Sequence, residues 1–213
     1  MNVEKSDDKH RFLFILELCS RLFYYQCMKF PSTIILTTPR LYLRPFTLDD
    51  LDDFNLYCST PGVGEMAGWP HHQSLDESLK ILNMFLSEQN VLAIVDQVTN
   101  RVIGSVGVHA SKLEQTAEFT TKKIIELGYV LSKSYWGRGL MVEACKAVIK
   151  YLFEVEGYEV LSCGHFVKNS QSRRVIEKLG FRYHSDDIYF AKQLNQSFAE
   201  RLYILTSDTQ LDD

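Results

Sequence analysis

Two patterns of apolar residues run along the chain, short β-branched or aromatic runs and stripes at helical spacing. The runs TIILTT (33–38) and LYLRPF (41–46) flank Pro39-Arg40, and their β-branched and aromatic content predicts an N-terminal strand or a bent strand pair. Thr47, with Asp50 three residues on, predicts a capped start for a short helix through LDDFNLYC. Three glycines and two prolines in PGVGEMAGWPHH (61–72) predict an exposed loop. Ser74 and Glu77 form a capping-box pair ahead of a helix marked by Leu75, Leu79, Leu82 and Leu86. VLAIVD and RVIGSVGVHA, with a Thr99-Asn100 turn between them, read as a hairpin. A polar stretch from Ser111 to Lys123 leads into the strand IIELGYVL. The helix that follows places Met141, Cys145, Val148, Ile149 and Leu152 on one face. A strand VLSCGHFV, a helix of about ten residues from Ser170, and two strands around Phe181–Phe190 and Arg201–Leu205 close the chain. Three hairpin-like strands ahead of two strand–helix units imply an α/β (α+β) fold: a mixed sheet with helices on both faces.

Residues 1–30 stand apart from this order. Met1 to His10 is polar and aperiodic, whereas Phe12, Ile15, Leu16, Cys19, Phe23, Cys27 and Phe30 recur at helical spacing, so an extension that is helical from about residue 11 is expected. A signal peptide is disfavoured because Glu17 breaks the apolar run and no small-residue cleavage site follows. The first choice is a helix packed on the domain or on a partner subunit, the second of these in a homodimer. A membrane-surface helix comes next, and an upstream extension with Met28 as the natural start comes last. Residues 31–213 read as one domain without repeats.

The composition narrows the function classes without naming one. The charges sum to −4, against a binder that relies on a basic face, so no nucleic-acid partner is expected. Five cysteines without a CxxC pair suit reduced thiols in the cytoplasm better than a secreted disulfide framework. No apolar run approaches the ~20 residues that span a bilayer. The histidines His71, His72, His109, His165 and His184 lack metal-ligand spacing, and no metal site is expected.

The richest segment is ELGYVLSKSYWGRGLMVEACKAVIKYLF, in which a strand runs through a short loop into Gly137-Arg138-Gly139 and directly into a helix. Glycines admit a sharp turn and close approach to peptide N–H groups. The helix start directs unpaired N–H groups and its positive dipole end at the same place, which suits a diphosphate, with Arg138 adding charge. No GxxxxGK[ST] and no GxGxxG with a downstream acidic residue is present, so neither a P-loop nor a dinucleotide fold is supported. Taken alone, the GxG is as often a structural turn. Thirty residues on, NSQSRRVIEKLGF again places a strand end against a helix start. Asn169 there is either a simple helix cap or an amide that binds a polar ligand chain lying between two splayed parallel strands.

YWGRGLMVEA followed by NSQSRRVIEKLGF resembles the coenzyme A-binding core of the GCN5-related N-acetyltransferases (GNAT). TPRLYLRPFTLDD and LGYVLSKSYWGRGLMVEA resemble the RimJ/RimL-type branch, which acetylates protein N-termini and, in other members, small amines or antibiotics. The resemblance covers about Thr37 to Thr206. It implies acetyl-CoA as cosubstrate, a mostly antiparallel central sheet, and an amine acceptor that is a protein N-terminus or a small molecule. By position it implies that backbone groups of Val130 and Leu131 pair with the pantetheine arm, and that the N–H groups of Trp136, Gly137, Arg138, Gly139, Leu140 and Met141 hold the diphosphate. Asn169 would contact the pantetheine, with Ser172 close by. The chain departs from the family pattern at Ser134, where Gln or Arg is common, and at Ile176, where a tyrosine usually serves as acid for the leaving thiolate.

Transfer from a thioester to an amine needs a base, oxyanion donors and departure of the thiolate. Backbone N–H groups at a kinked strand Gly128–Leu131 could supply the donors. Glu126, one acidic group in an otherwise apolar strand, is the candidate base, directly or through a water; the competing reading is an edge-facing or salt-bridged glutamate. Tyr129, Cys163 and Tyr183 are weaker candidates for acid. The acceptor is expected to enter through the Gly62–Gln73 loop, with Glu65, Trp69 and His71 recognising the amine, although Trp69 could equally be a lid that packs down. Two further readings are a coenzyme-binding or assembly protein without turnover, and a nucleotide-binding regulator.

Overall fold

The computed structural model describes residues 28–209, so the expected N-terminal helix lies outside the described residues. Within them, the bent pair is β1 (Leu36–Thr37) and β2 (Leu41–Pro45), and the strands β3 (Val91–Asp96), β4 (Val102–His109), β5 (Ile124–Leu131), β6 (Val160–Phe166), β7 (Arg182–Ala191) and β8 (Gln196–Thr206) follow. Four α-helices intervene: α1 (Leu51–Cys58), α2 (Leu75–Glu88), α3 (Leu140–Glu154) and α4 (Ser170–Lys178). The strands form one sheet in the order β1-β2-β3-β4-β5-β6-β8-β7. Every neighbouring pair is antiparallel except β5 and β6.

The helices divide between the two faces. On one face α3 buries Met141, Ala144, Cys145, Val148, Ile149 and Leu152 against Ile125, Leu127 and Leu131 of β5 and Leu161 of β6. The five face positions expected from its periodicity are all buried. On the other, Phe54, Tyr57 and Cys58 of α1 and Leu82 of α2 pack on Val91, Ala93 and Val95. Met28 and Phe30 already belong to the first core, and the Phe30 N–H donates to Gln89 O at 2.8 Å. Cys58, Cys145 and Cys163 are free and buried.

Three local expectations are corrected. Leu75 is 46% exposed, because the buried stripe of α2 runs through Ser78 and Leu82. The Ser74 hydroxyl accepts from the Glu77 N–H at 3.2 Å, but the Glu77 carboxylate takes the Gln73 N–H rather than closing the reciprocal box. The 61–72 loop is not an exposed excursion: Val63 and His72 are buried, and Trp69 packs against the second core. Its apolar side chains outweigh its glycine and proline content once a sheet surface is available to cover.

Candidate active site

The parallel pairing of β5 with β6 covers only Ile124–Glu126 against Val160–Ser162. Beyond it both strands continue, β5 to Leu131 and β6 to Phe166, without pairing each other. A cleft of about 870 Å³ opens there, lined by Leu127–Leu131 from one side and Cys163–Phe166 from the other. The ladder of β5 with β4 is continuous from Glu126 to Leu131, so the opening comes from divergence of the two parallel strands and not from the expected kink in β5.

Side-chain alternation gives the cleft two compartments. Ile125, Leu127 and Leu131 belong to the α3 core, while Val130 packs with the α1–α2 core, so Glu126, Gly128 and Val130 share that second face. Glu126 is in register with His109 on β4 and Ser162 on β6. Burial pushes its carboxyl up to about 7; Glu200 adds to the rise and Lys112 opposes it. On the α3 side the Tyr129 hydroxyl meets Ser172 Oγ at 2.9 Å, and burial drives its pKa well above the ordinary value.

The glycine turn closes one end of the cleft. Gly137 and Gly139 adopt φ of 76° and 77°, which disfavours any residue with a Cβ, and a Cβ on Gly137 would meet no atom within 4 Å. Gly139 is the N-cap of α3, whose first-turn N–H groups therefore face the turn. Trp136 Nε1 donates to Leu131 O at 2.8 Å, tying the turn to the end of β5. Arg138 lies over the Tyr135 ring at 5.1 Å, and its carbonyl accepts from Arg40 Nη1 at 3.1 Å. Arg40 also binds Glu143 of α3 through Nε at 2.6 Å, and the Thr38 hydroxyl donates to the other oxygen of that carboxylate at 2.6 Å. Burial opposes the charge on Glu143, but the Thr38 and Arg40 hydrogen bonds outweigh it and hold the carboxyl below its usual range. This clamp was not assigned from sequence, although its arginine lies in the segment TPRLYLRPFTLDD.

Across the cleft, Asn169 caps α4: its Oδ1 accepts from the Ser172 N–H at 3.0 Å, and its Nδ2 donates to Met66 O at 3.2 Å. The cap and a loop anchor thus coexist on one amide. Of the residues expected to hold the coenzyme, all but Arg138 line the cleft. Ile176, at the position of the family tyrosine, is fully buried in the core and presents no hydroxyl.

The acceptor-loop residues separate. Trp69 lines the cleft and lies tilted against His72, with ring centroids 5.3 Å apart. Glu65 and His71 are not among the lining residues; they pair with each other at 2.7 Å and hold the loop in shape. Burial disfavours the Glu65 carboxylate, yet His71 and the N–H groups of Gly62 and His71 bring it down to about 2. Lys112 and Glu200, absent from the sequence-based candidates, do line the cleft beside Glu126. A signal existed for Glu200, which falls in phase with Leu202 and Ile204 on β8. Among the described residues no three His, Cys, Asp or Glu side chains converge as a metal site, and no helix is long and apolar enough to cross a membrane.

An open parallel pair, a glycine turn at a helix start and a wide cleft fit a coenzyme with an anionic head and an extended arm. Residues 40–182 match the family model described as Acetyltransferase (GNAT) domain. The chain is 26% identical over 153 residues to the Bacillus subtilis (strain 168) protein named Uncharacterized N-acetyltransferase YoaA, covering 70% of this chain and 82% of that one. Similarity to the Bacillus licheniformis protein named Uncharacterized N-acetyltransferase p20 is 26% over 152 residues, covering 69% and 82%. The fold matches the crystal structure of a GNAT-family acetyltransferase from Bacillus anthracis with a TM-score of 0.71 at 21% identity, covering 83% of this chain and all of that one. The chain therefore belongs to the GNAT acetyltransferases, enzymes that draw the acetyl group from acetyl-CoA.

Proposed function

We propose that the protein transfers the acetyl group of acetyl-CoA to a primary amine, either a protein N-terminus or a small amine, by direct attack in a ternary complex. The RimJ/RimL-like motifs in TPRLYLRPFTLDD and LGYVLSKSYWGRGLMVEA favour this acceptor class. The observation that carries the reading is the arrangement along β5, with the glycine turn beyond Leu131 and the half-buried Glu126 five residues back. That interval is roughly 17 Å of extended strand, along which an arm can lie as a substitute neighbour for β6. The diphosphate sits against the N–H groups of residues 136–141, Val130 and Leu131 present backbone groups to the pantetheine, and Asn169 with Ser172 borders it from α4.

Glu126, near neutral pH only partly ionised, takes the proton from the incoming ammonium directly or through one water. The freed amine attacks the thioester carbonyl, and N–H groups in Gly128–Leu131 stabilise the oxyanion. Collapse expels the thiolate, which takes up the second proton that the attacking nitrogen must lose to become an amide; a thiol of pKa about 8.5 leaves without a dedicated acid, which suits the apolar Ile176. The amine enters past Trp69, while the Glu65–His71 pair shapes the loop.

Thermal unfolding with and without acetyl-CoA, together with thiol release on a panel of amines and N-terminal peptides, tests the proposal. Acetyl-CoA raises Tm in the wild type, and Gly137→Glu, which strains the backbone and places an anion at the turn, abolishes the rise. No shift at saturating acetyl-CoA, or no thiol release with any amine, would sink it.

A further inference from the structure

We infer that Lys112 and Glu200 form a positioning pair that sets the charge carried by Glu126, a role that rests on the reading of Glu126 as the base. Lys112 opens the short 3-10 turn Lys112–Gln115 after β4. Its ammonium lies 2.6 Å from Glu200 Oε2 and 3.0 Å from Asp187 Oδ2, and 4.9 Å from the centre of the Tyr189 ring. The Lys112 ammonium is therefore shared between two carboxylates on β8 and β7, and among the described residues Glu126 makes no direct ion pair, the Lys112 backbone N–H being its hydrogen-bond donor. A glutamate bound outright to a lysine would stay ionised and make a poor proton acceptor; one beside a nearly balanced pair can exchange its proton near neutrality.

Glu200 is built into this place. Its side chain is 9% exposed, and it reaches across β6 at Gly164, where a Cβ would stand 2.6 Å from Oε1. Only the absence of a side chain at that position of β6 lets the carboxylate reach the cleft. Glu126, Lys112, Gly164 and Glu200 all line the same cavity. The titratable groups that face Glu126 are His109 from β4, Lys112 from the turn, Cys163 from β6, Asp187 from β7 and Glu200 from β8. Burial pushes the His109 imidazole down and the Cys163 thiol well up, toward their neutral forms, so the local field is dominated by Lys112 against Glu200 and Asp187. This balance accords with a Glu126 carboxyl near 7.

Carboxyl ¹³C NMR of the full chain labelled at glutamate tests the pairing without an acceptor, with the Glu126 resonance assigned by its loss in Glu126→Gln. Lys112→Met should raise the Glu126 midpoint by about one pH unit, Glu200→Gln should lower it by about as much, and Lys112→Arg should leave it near the wild type. The double variant Lys112→Met with Glu200→Gln should return toward the wild-type midpoint, and it keeps the test informative if Lys112→Met alone fails to fold. An unchanged midpoint in Glu200→Gln, or a double-variant midpoint that stays as low as that of Glu200→Gln, with both folded by their amide spectra, would overturn the inference. With an acceptor from the amine panel, the rising limb of kcat/KM against pH should move with the NMR midpoint, which a purely structural role would not produce. Moving midpoints without an acetyl-CoA Tm shift or thiol release would instead remove the proposed function while leaving the electrostatic coupling standing.

Discussion

Glu126 holds a position where function and stability pull in opposite directions. Its carboxyl rises from 4.5 in the unfolded chain to about 7 in the fold, with burial as the main cause. A group whose pKa is raised on folding contributes fully below its unfolded value, and that contribution is lost as pH climbs through the folded value. The wild type should therefore lose up to about 3 kcal/mol between pH 4.5 and 8 from this group, the free-energy equivalent of the shift. Glu126→Gln should be more stable than wild type at pH 8 and nearly equal at pH 5, as read by urea unfolding at the two pH values. Its turnover should fall by about 10²–10⁴ and lose the rise through pH 7 that a single deprotonation gives. Gly137 shows a simpler economy of space: Gly137→Ala meets no neighbouring atom, so its cost is confined to the left-handed backbone, about 1–2 kcal/mol.

Between elements, two arginines of the β2 segment fix what the strands alone would leave loose. Arg40 joins the β1–β2 turn to the start of α3 through Glu143 and reaches the carbonyl of Arg138 in the glycine turn. Glu143→Ala should free that turn without touching its glycines and weaken acetyl-CoA binding about tenfold by calorimetry, since a misplaced N–H cradle loses part of its charge-assisted contacts. Arg44 makes two 2.8 Å contacts with Asp50, whose carboxylate also accepts the Thr47 N–H. Burial opposes ionisation of Asp50, but Arg44 and Thr47 outweigh it and hold the pKa below the usual range. The sign is opposite to that of Glu126. This pair stabilises the fold above the unfolded carboxyl pKa and is lost as pH falls through the lower folded value. Asp50→Asn should cost about 2 kcal/mol at pH 7 and much less near pH 2, measured by denaturant unfolding.

At the scale of the molecule, the sheet is continuous in order but open in its middle. Pairing of β5 with β6 stops at Glu126–Ser162, and the two halves are joined beyond that point mainly by what packs over them. A coenzyme in the gap would bridge the halves, so its binding should stabilise the whole domain rather than one loop. Acetyl-CoA at about 100 times its Kd should add about 2.7 kcal/mol, a Tm rise of about 5–10 °C for a chain this size. A calorimetric scan should show one sharper transition in its presence.

The residues themselves determined much of this. Apolar spacing in LMVEACKAVIKYLF specified α3 and its buried face, and the two apolar runs on either side of the Thr99-Asn100 turn specified the β3–β4 hairpin, because these depend on contacts a few residues apart. The glycine turn was legible for the same reason, since positive φ and a helix start are local properties. Which side chains would share the cleft was not local. Glu65 and His71 looked suited to an amine by their chemistry, yet they are close enough in sequence to satisfy each other. Lys112, Asp187 and Glu200 come from three distant segments, and only the strand order β5-β6-β8-β7, with glycine at position 164, brings their charges to Glu126. The sequence by itself determined the elements around the sheet and the glycine turn at a helix start; the electrostatic setting of the candidate base depends on separations between distant segments that only the tertiary structure decided.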